Sequence, residues 1–483
     1  MALISDVTGR TEQFAVAKYN AKAGQCKPEC VNEESSGRNR EGYSKSVIGC
    51  PRTRRKGRME LLEEILSRKN LNEAYKRVYA NKGASGVDGV SVEELHEHLR
   101  VHKAEILESI RTRKYKPQPV RRVEIPKEEK GKVRKLGIPS VVDRVIQLAI
   151  AQVLSPIFEQ QFSDHSYGFR PGRSQEMAVI RSLELINDGH GWIVDIDLER
   201  FFDTVNHDRL MNILHRTITD GDVLSLIRKF LVSGVIVGET YEETTVGTPQ
   251  GGNLSPLLSN IMLNELDKEL ESRGLRFVRF ADDCNIFVGS EKAAERVRKS
   301  VTTFIEKKLG LIVNATKSQI GRPNQIKFLG FGYTEDGNGK YVAIPHSKSV
   351  DRLKRKLKSL TSRNWGIALD ERLKKLKELI TGWVNYFRIA EMKGILSDMD
   401  KRLRMRIRVV IWKQWKVPKK RYDSLRKLGA SPRSARVAYS GKGYQVLCKS
   451  PIIHATLTNK RLEQRGLITL SSHYAKVHLI TTS

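Results

Sequence analysis

Five cysteines in 483 residues are too few to staple a fold together. Disulfide scaffolds carry cysteine at far higher density in much shorter chains, so cross-links do not organise this one. Acidic residues are also under-represented: 55 Asp and Glu stand against 86 Lys and Arg, a formal charge of +31. A chain so basic repels itself unless it meets a polyanion, and nucleic acid is the first candidate. No uninterrupted apolar run reaches the ~18 residues needed to cross a bilayer. The longest apolar stretch, Val141 to Phe158, is broken by Asp143, Arg144, Gln147 and Gln152. No basic segment followed by an apolar one opens the chain, so no secretory signal is expected. Hydrophobic residues still make up 39% of the chain, enough for two to four packed units. The expectation is a cytoplasmic protein that handles nucleic acid and has no membrane partner.

The charge is unevenly placed. Residues 1–58 carry a net +6, residues 59–350 a net +2, and residues 351–483 a net +23. An excess of one sign on that scale usually meets phosphate, so the C-terminal region is read as a nucleic-acid surface. Within the nearly neutral middle, Arg111 to Lys135 holds eleven Lys and Arg against three Glu. Pro117, Pro119 and Pro126 forbid a continuous helix there, and two short strands around a polar turn read as a basic hairpin. Such a hairpin can clamp phosphate, or serve as a charged edge that discourages aggregation.

Residues 1–58 lack helical or strand periodicity and read as a disordered leader. Cys26 and Cys30, with Cys50 beyond, fall short of a four-ligand zinc site because no His precedes His96. Helical spacing begins near Met59, with Asn70 and Asn72 marking a cap. Helices are expected over 95–110, 141–158, 175–187, 207–216, 223–232, 255–273 and 292–308. Trp192–Ile196 reads as a buried strand, and residues 277–280 and 284–288 as a hairpin. From Ser349 the chain turns helical and basic, with Trp365, Trp383, Tyr386, Phe387, Trp412 and Trp415 interleaved. The spacing of Trp383 and Tyr386 favours a core place for both. Any of these rings left exposed among the basic residues could stack on unpaired bases. The class is α+β in the middle and mostly α at the end.

Two acidic sets sit at strand ends. One runs Asp195-Ile196-Asp197-Leu198-Glu199-Arg200-Phe201-Phe202-Asp203, and the other is Phe280-Ala281-Asp282-Asp283-Cys284. Adjacent carboxylates in a tight apolar turn resist joint ionisation, a cost that a divalent cation offsets, and hard oxygen ligands suit magnesium. Two ions held by Asp197 and Asp282 would clamp the attacking and leaving oxygens of a phosphoryl transfer. A lone Asp-Asp pair can also be only a turn; the second acidic strand end shifts the weight. Between them lies Gly247-Thr248-Pro249-Gln250-Gly251-Gly252-Asn253-Leu254-Ser255-Pro256. Its glycines would let backbone approach a nucleic-acid strand. It can equally lead into a helix with Ser255 as cap and Pro256 at the first position.

Taken together, these motifs resemble the reverse transcriptase/maturase proteins of bacterial group II introns, from about Met59 to the C-terminus. Arg134-Lys135-Leu136-Gly137-Ile138-Pro139 looks like the fingers motif, and Ser166-Tyr167-Gly168-Phe169-Arg170-Pro171-Gly172-Arg173 like the block after it. Asp197 through Asp203, Thr248 through Gly252, and Phe280-Ala281-Asp282-Asp283 follow in family order. Leu309-Gly310-Leu311 with Asn314 and Lys317, and Phe328-Leu329-Gly330-Phe331, look like the last palm motifs. Gly382-Trp383-Val384-Asn385-Tyr386-Phe387 resembles the maturase signature. Phe280 stands where the family usually has Tyr, which keeps the ring and loses a hydroxyl. Cys448 is the only cysteine after Cys284, so the expectation is the short class without a zinc-binding endonuclease domain.

The resemblance implies a right-hand polymerase fold with an antiparallel palm sheet, followed by a helical thumb/maturase domain and a small basic DNA-binding region. The expected boundaries are 59–190 for the N-terminal extension and fingers, 191–346 for the palm, 347–415 for the thumb and 416–483 for the DNA-binding region. Asp197, Asp282 and Asp283 would be catalytic and hold two Mg2+ ions, with Mn2+ able to substitute and the Ile196 or Leu198 carbonyl adding a backbone ligand. Lys127, Arg134, Phe202, Gln250 and Lys317 would meet the nucleotide, Phe202 by blocking a sugar 2′-hydroxyl. Strand alternation would send Phe201 and Phe202 to opposite faces. Gly251 and Gly252 would lie against the template. The implied partners are group II intron RNA, an RNA template with DNA primer, target DNA and dNTPs. The implied activity is RNA-directed DNA synthesis with assistance to splicing and mobility. A splicing cofactor with a vestigial polymerase, or a polymerase domesticated for phage defence or repair, are the alternatives.

Overall fold

The computed structural model describes residues 61–126, 131, 133–248 and 251–478. The leader, Lys127 and Gln250 therefore lie outside the described residues. The described chain divides into two compact units, one reaching to Ala178 and resuming over Val194–Gln319, the other comprising Val179–Ile193 and Ile320 onward.

The first unit carries β1 (Val120–Pro126), β2 (Val133–Ile138), the last three residues of β3 (Trp192–Ile196), β4 (Val235–Val237), β5 (Thr240–Glu242), β6 (Arg276–Phe280) and β7 (Asp283–Val288). The basic segment forms the expected hairpin: β1 and β2 pair antiparallel, with Val123 opposite Leu136 and Ile125 opposite Arg134. On its other edge β1 meets β4 in parallel at Val120 and Val235. A second sheet places β7 between β6 and β3, with Phe280 opposite Asp283 across the β6–β7 turn.

Behind them lies the helix Val141–Glu159, apolar around most of its circumference and buried for most of its length. By length and hydropathy it could cross a membrane, yet 78% of its most apolar stretch is buried inside the protein, which makes it a core helix. Its polar interruptions are struts. Asp143 accepts hydrogen bonds from Tyr115 Oη (2.7 Å), the Gln118 amide (3.0 Å) and Ser140 Oγ (2.9 Å), tying down the chain just before β1. Burial pushes its carboxyl up to about 6. Arg144 donates to the Ala84 carbonyl and draws in the loop around Gly83–Gly89.

Three local expectations are corrected. The cap near the first helices is Ser67, whose hydroxyl accepts from the Asn70 amide at 3.3 Å. The Asn70 side chain instead donates to the Ile65 and Ala149 carbonyls, both at 2.9 Å, and so bridges to the core helix. The helix expected over 292–308 is α-helical over Glu291–Phe304 and widens to a π-turn over Ile305–Leu309, which buries both Ile305 and Leu309. At the third place, Ser255 is not the cap of the helix Ser255–Ser272: with Pro256 it lies inside the first turn, and Leu254 before it makes no side-chain cap.

The second unit begins its C-terminal course with the hairpin β8 (Phe331–Glu335) and β9 (Tyr341–Pro345), followed by the helices Ser347–Leu360, Leu369–Tyr386 and Lys393–Gln414 and several short ones. Phe331, Trp383, Tyr386 and Phe387 form one aromatic cluster with ring centroids 4.7–5.9 Å apart. Tyr386 Oη donates to the Leu329 carbonyl at 2.9 Å, and Trp383 and Tyr386, both half-buried, pack against the buried Phe331 and Phe387. Trp412 is fully buried and unavailable for base stacking.

Basic charge is also spent internally here. Arg372, 1% exposed, donates to the Ser362 and Trp365 carbonyls at 3.1 and 2.7 Å and to the Leu360 carbonyl, closing the end of the helix Ser347–Leu360. Arg372→Ala strips those carbonyls of their donor inside the fold. We expect a loss of about 2–4 kcal/mol, read as a lowered unfolding midpoint of this unit. A variant within 0.5 °C of the parent would show that solvent replaces the guanidinium.

Candidate active site

The strand β3 buries Val194 and Ile196 on one face, and alternation puts Asp195 and Asp197 on the other, the face of buried Ile193. Asp197 is pinned by its own backbone: its amide donates to Ser318 Oγ at 3.0 Å, and its carbonyl accepts the Asn314 amide at 2.8 Å. Its carboxylate faces Lys317 Nζ at 3.4 Å. Leu198 bridges to Val313, and the Glu199 amide donates to the Ile312 carbonyl at 2.8 Å. The Leu309–Lys317 motif is thus the lateral support of the acidic strand end. Ile196 and Leu198 are both buried on either side of Asp197.

Arg200, in the left-handed region at φ 46°, turns the chain into a short helix over Phe201–Thr204. The expectation that strand alternation separates the two rings is corrected. Helical rotation does so instead, leaving Phe201 buried and Phe202 half-buried, with ring centroids 5.2 Å apart.

The glycine-rich segment is stitched to that turn. The Gly247 amide donates to the Val205 carbonyl at 2.8 Å and the Thr248 amide to the Phe202 carbonyl at 2.6 Å. His207 Nε2 lies 2.6 Å from the Gly247 carbonyl. Gly247 has φ 91°, and a Cβ there would come within 3.0 Å of the Phe202 and Asp203 carbonyls. Gly251 has φ 113°, and a Cβ would overlap the Gly137 carbonyl at the end of β2. Both glycines answer first to protein packing, a demand invisible in the motif itself. Gly251 is exposed and Gly252 buried.

At the β6–β7 turn, Ala281 has φ 56°, Asp282 is half-buried and Asp283 is exposed. Burial holds the Asp282 carboxyl above its ordinary range, the Asp197 charge adds to this, and its own amide, Arg134 and Arg279 oppose it. Those interactions bring Asp197, Asp282 and the exposed Arg134 into one electrostatic neighbourhood. Asp195 belongs to it as well. Burial pushes its carboxyl up to about 6, opposed by Gln319 Nε2 at 3.4 Å and reinforced by Asp197. The strand's two-residue period was the signal for Asp195, and Asn314 stood in the motif with Lys317; nothing local signalled Ser318 or Gln319.

Among the described residues, no three His, Cys, Asp or Glu side chains converge into a ready-made metal cage. The donors that do interact, Asp197 and Asp282, are hard carboxylates whose mutual repulsion a divalent cation would relieve, so the set fits such an ion.

A mixed α+β core of this kind, with carboxylates at two neighbouring strand ends and a basic hairpin acting on them, has the reverse-transcriptase fold of an RNA-directed DNA polymerase. Residues 125–333 match the family described as reverse transcriptase (RNA-dependent DNA polymerase), and residues 350–429 match the group II intron, maturase-specific domain. The chain therefore belongs to the group II intron reverse transcriptase/maturase family. It is 35% identical to Protein YkfC of Escherichia coli (strain K12) over 56% of this chain and 81% of that one. It is 40% identical to the group II intron-encoded protein LtrA of Lactococcus lactis subsp. cremoris, over 43% of this chain and 34% of that one. A solved telomerase from Candida albicans aligns over 66% of this chain and 63% of its own, with a TM-score of 0.40 and 14% identity.

Proposed function

We propose that this polymerase copies group II intron RNA into DNA from a primer end, using dNTPs and two Mg2+ ions, and binds the same RNA to assist its splicing and mobility. The observation that carries the polymerase reading is the meeting of Asp197 and Asp282 beside Arg134 and Lys317. When bound, the ions would neutralise the triphosphate and lower the cost of ionising the primer 3′-hydroxyl. Asp197, Asp282 and Asp283 would hold them, with the Ile196 or Leu198 carbonyl as a further oxygen donor. Arg134 steadies the triphosphate, a role shared with Lys127. Lys317, resting on Asp197, is placed to return a proton to the leaving pyrophosphate. Gln250 would meet the nucleotide or template, with the template along the Gly251–Gly252 backbone, where the Gly251 conformation is set by packing against the Gly137 carbonyl. The fingers, palm, thumb/maturase and DNA-binding roles fall to residues 59–190, 191–346, 347–415 and 416–483.

Primer extension on an RNA template, with Mg2+ and Mn2+ titrated separately, tests this reading. Extension that needs neither ion, or that uses DNA templates alone, would overturn it.

Phe202 provides a sharper check. Its ring is half-buried beside Phe201, on the turn that the Thr248 amide clasps. A bulky ring there excludes a ribose by steric conflict. Phe202→Ala is expected to raise ribonucleotide incorporation relative to deoxyribonucleotide by about 10- to 100-fold in single-nucleotide assays. Unchanged selectivity would remove Phe202 from that role.

A further inference from the structure

The Asp282–Asp283 turn is held from behind by an ion pair sealed from solvent. Arg279, the fourth residue of β6, is fully buried, as is its partner Asp267 on the helix Ser255–Ser272. The guanidinium forks onto the carboxylate, Nε to Oδ1 at 2.7 Å and Nη2 to Oδ2 at 2.5 Å. Its remaining arm, Nη1, donates to Asn260 Oδ1 at 3.1 Å and to the Ala281 carbonyl at 2.9 Å. Asn260 and Asp267, two turns apart, share one helix face. Asn260 in turn donates to the Gly168 carbonyl at 2.8 Å.

The Ser166–Arg173 motif completes the brace. The Tyr167 amide donates to the Arg279 carbonyl at 2.8 Å, and the Arg279 amide to the His165 carbonyl at 2.9 Å. A Cβ on Gly168 would overlap the Ala281 amide, so the two backbones are in direct contact. Ala281 itself sits in the left-handed region, which costs an alanine about 1 kcal/mol or more and persists only where its surroundings enforce it. A buried ion pair adds little net stability over apolar residues of the same volume. What an apolar pair would lack is the bond to the Ala281 carbonyl.

We propose that Arg279, anchored by Asp267 and Asn260 and backed by Tyr167 and Gly168, is a positioning residue that fixes the Asp282–Asp283 turn opposite Asp197. The inference rests on the reading of those carboxylates as the metal-holding groups. It assigns the Ser166–Arg173 motif a part in the catalytic centre through the backbone and not through nucleic acid.

The test compares Arg279→Met/Asp267→Leu, which removes both charges together, with Arg279→Lys, which keeps a charge facing Asp267 without the fork. Asp282→Ala serves as reference. Each full-length protein is assayed for unfolding midpoint, for kpol and dNTP Kd in single-nucleotide incorporation, and for Mn2+ binding by electron paramagnetic resonance without nucleic acid. Both pair variants should stay folded, with a midpoint lowered by no more than the unpaired Ala281 carbonyl and Asn260 Oδ1 cost, and should keep a dNTP Kd within about threefold. The paired variant should lose about 100-fold in kpol, the cost of a misplacement near 1 Å, and Arg279→Lys an intermediate amount. Mn2+ binding should weaken about tenfold in the paired variant. Parental kpol and Mn2+ affinity in both variants would overturn the proposal. So would activity lost only in proportion to unfolded protein, which would make the pair merely structural. Should Asp282→Ala keep turnover, the reading of the carboxylates fails instead, whatever the pair does.

Discussion

Primer extension disappears when Asp282 and Asp283 are both replaced by alanine, with turnover falling by at least ~1,000-fold, while intron RNA is still bound and spliced. The loss follows from electrostatics. The turn supplies negative charge where a metal-bound triphosphate must be held, and charge stabilisation of this kind is usually the largest catalytic term. Misfolding is not the expected cause, because the turn already resists ionisation. Burial and the neighbouring Asp197 raise the Asp282 carboxyl above its ordinary range. Removing it relieves repulsion, so the unfolding midpoint should hold or rise slightly. In the proposed function, RNA binding would rest on basic and shape contacts spread over other residues. Extension, RNA affinity and splicing measured on one preparation decide the matter. A variant that folds yet neither extends nor splices would show that the two activities share this turn.

RNA affinity should collapse with salt. Residues 351–483 carry a net +23, and each phosphate they neutralise releases counterions. Between 50 and 200 mM salt, six to ten such contacts would cost about 1,000- to 100,000-fold in affinity. The structure narrows which charges count. Arg372 is sealed in the fold, and buried Arg408 donates to the Leu457 carbonyl at 2.8 Å and to Asn459 at 2.9 Å. Lys416, Lys419 and Lys420 are exposed. Replacing these three by alanine should flatten the salt dependence by about two to three ions released. An unchanged slope would place the RNA elsewhere.

Arg408 also bears on how the C-terminal region can be probed. Deleting residues 416–483 removes Leu457 and Asn459, the partners of a buried guanidinium, and Arg421, which lies 5.3 Å over the buried Trp412 ring. Truncation would therefore mix any lost nucleic-acid binding with a damaged core, and the lysine substitutions separate the two.

Much of this protein was readable from local pattern. The buried strand Trp192–Ile196, the hairpin around Asp282 and Asp283 and the helix Gln175–Asn187 stand where periodicity placed them, because two-residue and 3.6-residue repeats are properties of a few adjacent residues. The charge asymmetry and the order of the acidic and glycine-rich motifs were equally plain, and they carried the family. Tertiary structure decided what those motifs touch. Asp143 and Arg144 look like flaws in an apolar helix until Tyr115, Gln118 and Ala84 are brought to them. Gly251 reads as room for a template until the Gly137 carbonyl fills the place of its Cβ. Phe201 and Phe202 seemed separated by strand alternation, but the strand ends at Ile196 and the left-handed Arg200 opens a short helix. Arg279 is one basic residue in a strand until Asp267, Asn260 and Ala281 close around it. Chemistry and local conformation were determined by neighbouring residues in the sequence. The mutual placement of the carboxylates and of the groups that hold them depends on contacts between residues tens to more than a hundred positions apart, which no local repeat encodes.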